Sequence, residues 1–168
     1  DEGRYIVEQI NHLKTEEYYK NSDFTILYRM NAQSRAIEDI LMREGIPYKV
    51  IGGLKFYERK EIKDIIAYLR LIHNSADNLS LKRIINEPKR GIGKTSIDQI
   101  QEISDKTGNS MYEIIRNAQE YGLTRVYSNS RDFIEQMEYL KSKKDELNIS
   151  DLIKETLNKT GYTKALEN

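Results

Sequence analysis

From residue 60 onward the apolar residues recur at helical spacing, and this periodicity constrains the chain more than any other feature. Residues 60–73 place Ile62, Ile65, Ile66, Leu69 and Ile72 on an i, i+3, i+4, i+7 stripe, which predicts an amphipathic helix. A short helix is expected near 79–85, then a loop from Asn86 to Gly93 containing Pro88 and two glycines. Thr95 is expected to open the next helix, with Asp98 three residues on and Ile97, Ile100 and Ile103 inward. Ser110 and Glu113 have capping-box spacing at the head of another. Val126, Phe133, Met137, Leu140 and Leu147 mark the seam of a long helix, and Ile149, Leu152, Ile153 and Leu157 a last one.

The first fifty residues read differently. Ile6, Ile10 and Leu13 share one helical face over 4–13, and Asn21-Ser22-Asp23 reads as a turn. Phe24 to Tyr28 is a short buried-strand candidate. Residues 32–44 predict a helix with Ala36, Ile37, Ile40 and Leu41 inward and Gly45 as its stop. Pro47 to Ile51 reads as a second strand, ended by Gly52-Gly53. The expected fold class is therefore α/β: a partial βαβ unit with a short parallel sheet and right-handed crossover, followed by a mostly α-helical region. Two strands alone are marginal, so further strands are expected from sequence outside this piece.

Charge and composition narrow the function classes. Lys+Arg and Asp+Glu are both 27, so the net charge is zero, which argues against a histone-like binder but permits a local basic patch. The absence of cysteine excludes disulfides and thiolate metal sites. His12 and His73 have no clustered partners and read as surface or helix-end residues; no metal site is expected. No apolar run approaches the ~20 residues of a membrane span. Asp1-Glu2-Gly3-Arg4 lacks a signal-peptide pattern, and the missing initiator Met suggests a boundary inside a longer chain. A cytoplasmic location and no membrane partner are expected.

Three segments could carry chemistry. Tyr28-Arg29-Met30-Asn31 lies at the carboxyl end of the first expected strand, where ligands bind in open α/β sheets. The ring suits stacking on a base, and the guanidinium suits phosphate oxygens. The alternative is a tyrosine packed on the core and an arginine in solvent.

Lys89-Arg90-Gly91-Ile92-Gly93-Lys94-Thr95-Ser96 ends like a P-loop, but Pro88 stands where that loop needs its first glycine, with no amide hydrogen and a fixed φ. The better reading is a helix–hairpin–helix-like turn. Gly91-Ile92-Gly93 bends between two helices, and Ile92 plugs the gap between them. The amides of the following helix face an anion, and Lys89, Arg90 and Lys94 add positive charge. The alternative is a structural turn with solvated lysines.

In Gly52 through Asp64, Phe56 and Tyr57 either support a base or close the core. Arg59, Lys60 and Lys63 alternate with Glu58, Glu61 and Asp64, as on a solvated helix face.

Taken in order, these segments resemble the UvrD/PcrA/Rep-type superfamily 1 DNA helicases, most of all the PcrA branch. Ile26-Leu27-Tyr28-Arg29 with Asn31-Ala32-Gln33-Ser34-Arg35 resembles the family's motif IV. Gly52-Gly53-Leu54-Lys55-Phe56 through Glu61-Ile62-Lys63-Asp64, into Ala67-Tyr68-Leu69-Arg70, resembles the block that follows. Asn86 through Pro88 to Arg90-Gly91-Ile92-Gly93 resembles the next, and Gly161-Tyr162 resembles a Ser/Thr-Gly-Tyr stretch near the end. The likeness is nearly continuous from about residue 23 to 104 and weaker beyond 120.

The resemblance implies that residues 1–120 are the first segment of a second RecA-like motor domain. Residues 121–168 then begin a helical domain inserted into it. It places adenine stacking on Tyr28 and γ-phosphate sensing, the catalytic contribution, on Arg29. It implies ATP and Mg²⁺ as cofactors of the parent enzyme, with neither expected on this piece alone. The implied partners are single-stranded and duplex DNA and the remaining helicase domains; the implied activity is 3′-to-5′ movement in DNA repair or replication.

DNA phosphate contacts are expected at Lys89, Arg90, Gly91, Ile92, Gly93, Lys94 and Thr95. No Walker A motif, Asp-Glu magnesium motif or second-arginine motif occurs in these residues, so the piece alone is expected to be inactive. The rival reading is a free-standing, non-specific DNA-binding module built on the Gly91–Gly93 turn.

Overall fold

The computed structural model describes residues 2–53 and 55–167, and of Asn31 the backbone only. Two compact units divide the chain, Asp1–Ile62 and Lys63–Asn168, and the division falls in the first turn of a helix. In the first unit lie α1 (Glu2–Glu16) and α2 (Asn31–Arg43), with short 3₁₀ turns at Asn21–Asp23 and Phe56–Glu58. Next, α3 (Lys60–His73) carries the chain into the second unit. There follow α4 (Asn78–Ile84), α5 (Lys94–Thr107), α6 (Met111–Arg116), α7 (Thr124–Lys143), α8 (Ile149–Lys159) and α9 (Tyr162–Leu166).

The expected sheet does not form. Among the described residues there is no strand, and the architecture is all-helical. Residues 24–28 and 47–51, the two strand candidates, form neither helix nor strand. Among the described residues no backbone–backbone hydrogen bond joins 24–29 or 47–53 to any partner. Both segments line one open groove of about 820 Å³ together with Ile10, Ile37 and Leu41. The physical reason is cooperativity: a strand gains its stability from ladders to neighbours, and two isolated segments do not offset the entropy of straightening. Leu27 and Ile51 are 91% and 87% exposed, so the apolar pattern that suggested strands buried on both faces has only one face covered.

The covered face is a small core. Val7, Ile10 and Leu41 are buried, with Ile6, Phe24, Ile26, Ile37, Ile40, Ile46 and Tyr48 packed around them. The α1–α2 crossing is close: a Cβ on Gly3 would come within 3.0 Å of Ile40 Cγ2. On α2 the expected inward Ala36 is exposed, and the polar Ser34 and Glu38 are buried instead. Glu38 accepts hydrogen bonds from the Tyr48 hydroxyl at 3.0 Å and from Phe56 N at 3.2 Å. One carboxylate thus ties the 46–50 segment and the Phe56 turn to the same helix.

The second unit holds the larger core, built from α3 to α9 around Tyr68, Leu71, Leu81, Ile84, Ile100, Tyr112, Ile114, Phe133 and Met137. The expected stripe on α3 is rotated. Fully buried are Asp64, Ala67, Tyr68, Leu71 and Ile72, whereas Ile62, Ile65, Ile66 and Leu69 are only partly covered. Asp64 drives the difference, and it is no member of a solvated face. Its carboxylate, 1% exposed, pairs with Arg83 Nε at 2.7 Å and accepts from the Tyr162 hydroxyl at 2.6 Å. That set closes α3 onto α4 and α9.

Side-chain caps fix several starts. Ser110 Oγ accepts from Glu113 N, as expected, and Asp77 and Asn148 cap α4 and α8. By contrast α5 begins one residue before Thr95, with Gly93 as its cap and no side-chain cap bond. Leu147 lies beyond the end of α7. The expected domain boundary at 120/121 falls inside the second unit, between α6 and α7, whose buried residues share one core.

Candidate functional site

The sequence-predicted residues fall into two separate places. Tyr28 and Arg29 belong to the first unit, and 89–95 to the second.

Tyr28 and Arg29 precede α2. Gln33 Oε1 accepts from Arg29 N at 3.1 Å and from Met30 N at 3.0 Å, which anchors this backbone to the head of α2. The Arg29 side chain is exposed, and Tyr28, 36% exposed, lines the groove between the two extended segments. Tyr28 and Arg29 are thus adjacent exposed residues, the first of them lining the groove. The Phe56 ring of the neighbouring turn is already engaged: the Arg35 and Arg59 guanidinium carbons lie 4.8 and 5.5 Å from its centroid. Tyr57 donates to Asp39 Oδ1 at 3.3 Å. Leu54 of the same segment lies outside the described residues. Burial and the bond to Glu38 push the Tyr48 phenol up to about 12.

The second place is the 86–95 turn between α4 and α5. Ile92, 1% exposed, is the expected plug, with Ile100 buried and Ile97 packed below it. Asn86 Oδ1 accepts from Arg90 N at 2.7 Å and from Ile92 N at 3.3 Å, an Asx-type closure of the loop. These two amides are therefore unavailable to a phosphate. Gly91 adopts φ +73°, in the left-handed region that favours glycine. Lys89, Gly91, Gly93, Lys94 and Thr95 are exposed. Gly93 supplies no side-chain cap and the first turn of α5 carries no acid, so the helix's positive end is uncompensated.

Arg90 does something other than reach outward. Its Nη1 donates to the carbonyls of Ile84, Ile85 and Pro88 at 3.0, 3.2 and 3.1 Å, and its Nη2 to the Tyr68 hydroxyl at 2.9 Å. Its guanidinium carbon sits 4.9 Å from the Phe133 ring centroid. Tyr68 in turn donates to the Glu87 carbonyl at 2.6 Å, and burial pushes its phenol up. Arg90 therefore satisfies the last carbonyls of α4 and holds the loop to α3 and α7, a task helix C-termini require.

Sequence reading missed Asn86, Tyr68 and Asn129. Asn129 Nδ2 donates to the Gly91 carbonyl at 3.1 Å. An Asn two positions before a proline is a recognisable turn signal. The contacts of Tyr68 and Asn129, 22 and 38 residues from their partners, carry no local signal.

Among the described residues no group of three or more His, Asp or Glu side chains is arranged to hold a metal ion, and no helix is long and apolar enough to cross a membrane. Residues 1–167 match the family model described as the UvrD-like helicase C-terminal domain, and the chain belongs to that family. Among curated relatives it is 43% identical over 167 residues to the ATP-dependent DNA helicase PcrA of Bacillus subtilis. It is 43% identical over 169 residues to that of Staphylococcus epidermidis, and 40% over 169 to that of Staphylococcus aureus. Each alignment covers 99% of this chain and 23% of the relative, so the chain spans under a quarter of the length of the helicases it matches.

Proposed function

We propose that this chain is part of an ATP-dependent 3′-to-5′ DNA helicase or translocase acting in repair or replication. It would supply one nucleotide-sensing edge and one DNA-phosphate contact. The observation that carries the reading is the 86–95 turn: it is held from within by Asn86 and Arg90, yet leaves Gly93, Lys94 and Thr95 exposed at an uncapped helix start. Such a turn recognises phosphate without reading bases. Lys89 and Lys94 strengthen the contact electrostatically. Gly91 and Ile92 shape the turn, and Arg90 braces it.

In this reading Tyr28 stacks on adenine and Arg29 reaches the terminal phosphate. Their exposure at one edge fits a nucleotide held mainly by another domain. ATP hydrolysis drives the motor when nucleotide is bound. Arg29's part is to place positive charge where the phosphoryl group's charge develops. In this reading Mg²⁺ and the phosphate-cradling loop are supplied by the rest of the parent. Residues 1–120 would belong to the motor domain and 121–168 to an inserted helical domain.

Two experiments test the reading. The purified chain is expected to hydrolyse no ATP, with or without single-stranded DNA; robust DNA-stimulated hydrolysis contradicts it. Binding to DNA is expected to be weak and to fall steeply with salt. Tight binding by the isolated chain would favour the free-standing module instead.

A further inference from the structure

We propose that Asn129, on α7, is a positioning residue for the phosphate contact, setting the outward face of the 91–93 turn; this rests on the DNA-phosphate reading above. The turn is clamped on two sides. From inside, Asn86 Oδ1 takes the amides of Arg90 and Ile92. From outside, the Asn129 side-chain amide takes the Gly91 carbonyl at 3.1 Å, across 38 residues. This bond fixes which way the Gly91–Ile92 peptide faces, because a peptide's carbonyl and amide point in opposite directions. With both ends held, the exposed Gly93 and the start of α5 keep one orientation.

Two further observations support a built contact. Asn129 is next to the buried Ser130, and Val126 and Phe133, three and four residues away on α7, are buried in the core. Its backbone is therefore anchored in the core. The approach is also close: a Cβ on Gly91 would lie 2.9 Å from Asn129 Nδ2. Gly91 is thus required twice, by its φ of +73° and by this neighbour.

The test measures binding of the whole chain, at low salt, to a fluorescent duplex with a 3′ single-stranded tail. Asn129→Ala is expected to weaken binding a few-fold, because the released turn samples orientations that do not bind, and to lower the melting temperature slightly through the lost intramolecular bond. Asn129→Gln, which keeps the donor, is expected to recover most of the loss. Asn129→Asp, which presents an acceptor to a carbonyl, is expected to be no better than alanine. In the unbound protein, Asn129→Ala is expected to shift the Ile92 and Gly93 amide resonances, whereas Ser128→Ala, one residue away, leaves them and the affinity unchanged.

Wild-type affinity in Asn129→Ala, with Lys94→Ala weakened, overturns this inference and leaves the phosphate reading standing. Wild-type affinity in both variants, or no binding by the wild-type chain, overturns the phosphate reading and this inference with it.

Discussion

The two candidate regions are built on opposite plans. Residues 86–95 are over-determined: Asn86, Arg90, Tyr68 and Asn129 all fix a loop of ten residues around a buried Ile92. Residues 24–30 are under-determined. They carry backbone groups without ladder partners and an exposed Leu27, and are held by Phe24 and Ile26 on the small core and by Gln33 at the head of α2. A contact to a repeating phosphate backbone benefits from a preformed donor set, because ordering costs are met at folding. An edge that meets its ligand only when another domain delivers it has no such requirement. The contrast suits the proposed reading, in which this piece brings one preformed phosphate contact and its nucleotide edge is completed by another domain.

The largest expected difference lies in catalysis. In a full-length helicase carrying this segment, Arg29→Ala should lower turnover by about 10³-fold with a smaller loss of ATP binding, since an arginine of this kind acts mainly on the transition state. The same change should move the chain's stability by no more than about 0.5 kcal/mol in denaturant titrations. Unchanged turnover would remove Arg29 from its role.

Arg90 should behave in the reverse sense. Arg90→Ala takes the Arg90 donor from the Ile85 and Pro88 carbonyls and the Tyr68 hydroxyl, while the Ile84 carbonyl keeps the Glu87 amide. It should cost about 3 kcal/mol of stability in the same titrations, given roughly 1 kcal/mol or more per buried group left unpaired. Tyr68→Phe, which loses only the hydroxyl, should cost about 1 kcal/mol. A fully stable Arg90→Ala with weakened DNA binding would instead return Arg90 to the phosphate surface.

Asp77 sharpens the comparison through pH. The Ser80 amide and hydroxyl hold its carboxyl below the ordinary carboxylate range. A depressed folded-state value means the cap's stabilisation is complete above the unfolded value, near 4, and is lost as pH falls through the folded one. Asp77→Ala should cost about 1 kcal/mol at neutral pH and progressively less under acid, as read by thermal melts across pH.

The smallest effect belongs to the exposed lysines. Lys89→Ala or Lys94→Ala should leave stability unchanged, weaken DNA binding to a similar degree on any sequence, and reduce the salt slope by about 1.

Legibility from sequence followed the range of the interactions. Helical periodicity locates α3 to α8 to within a few residues but gives no sign of the five-residue α9, and Ser110 and Ile92 are readable because their partners are near in sequence or in the core. The stripe on α3 was misjudged by rotation, since apolar spacing cannot announce that Asp64 is buried by Arg83 and Tyr162. The strands were misread for a related reason. Phe24 to Tyr28 and Pro47 to Ile51 have strand composition, but a strand is a property of a pair and its neighbours. Arg90 looked like a DNA contact because it follows Lys89 and precedes Gly91, while its true partners lie on α3, α4 and α7.

The central claim is that a preformed turn on the second unit meets DNA phosphate. Its most direct test is a titration of the isotope-labelled chain with mixed-sequence DNA, followed through backbone amide resonances. Shifts should centre on Gly93, Lys94 and Thr95, spare Arg90 and Ile92, and vanish as salt is raised. Shifts centred on another surface, or none at these three amides, would contradict it.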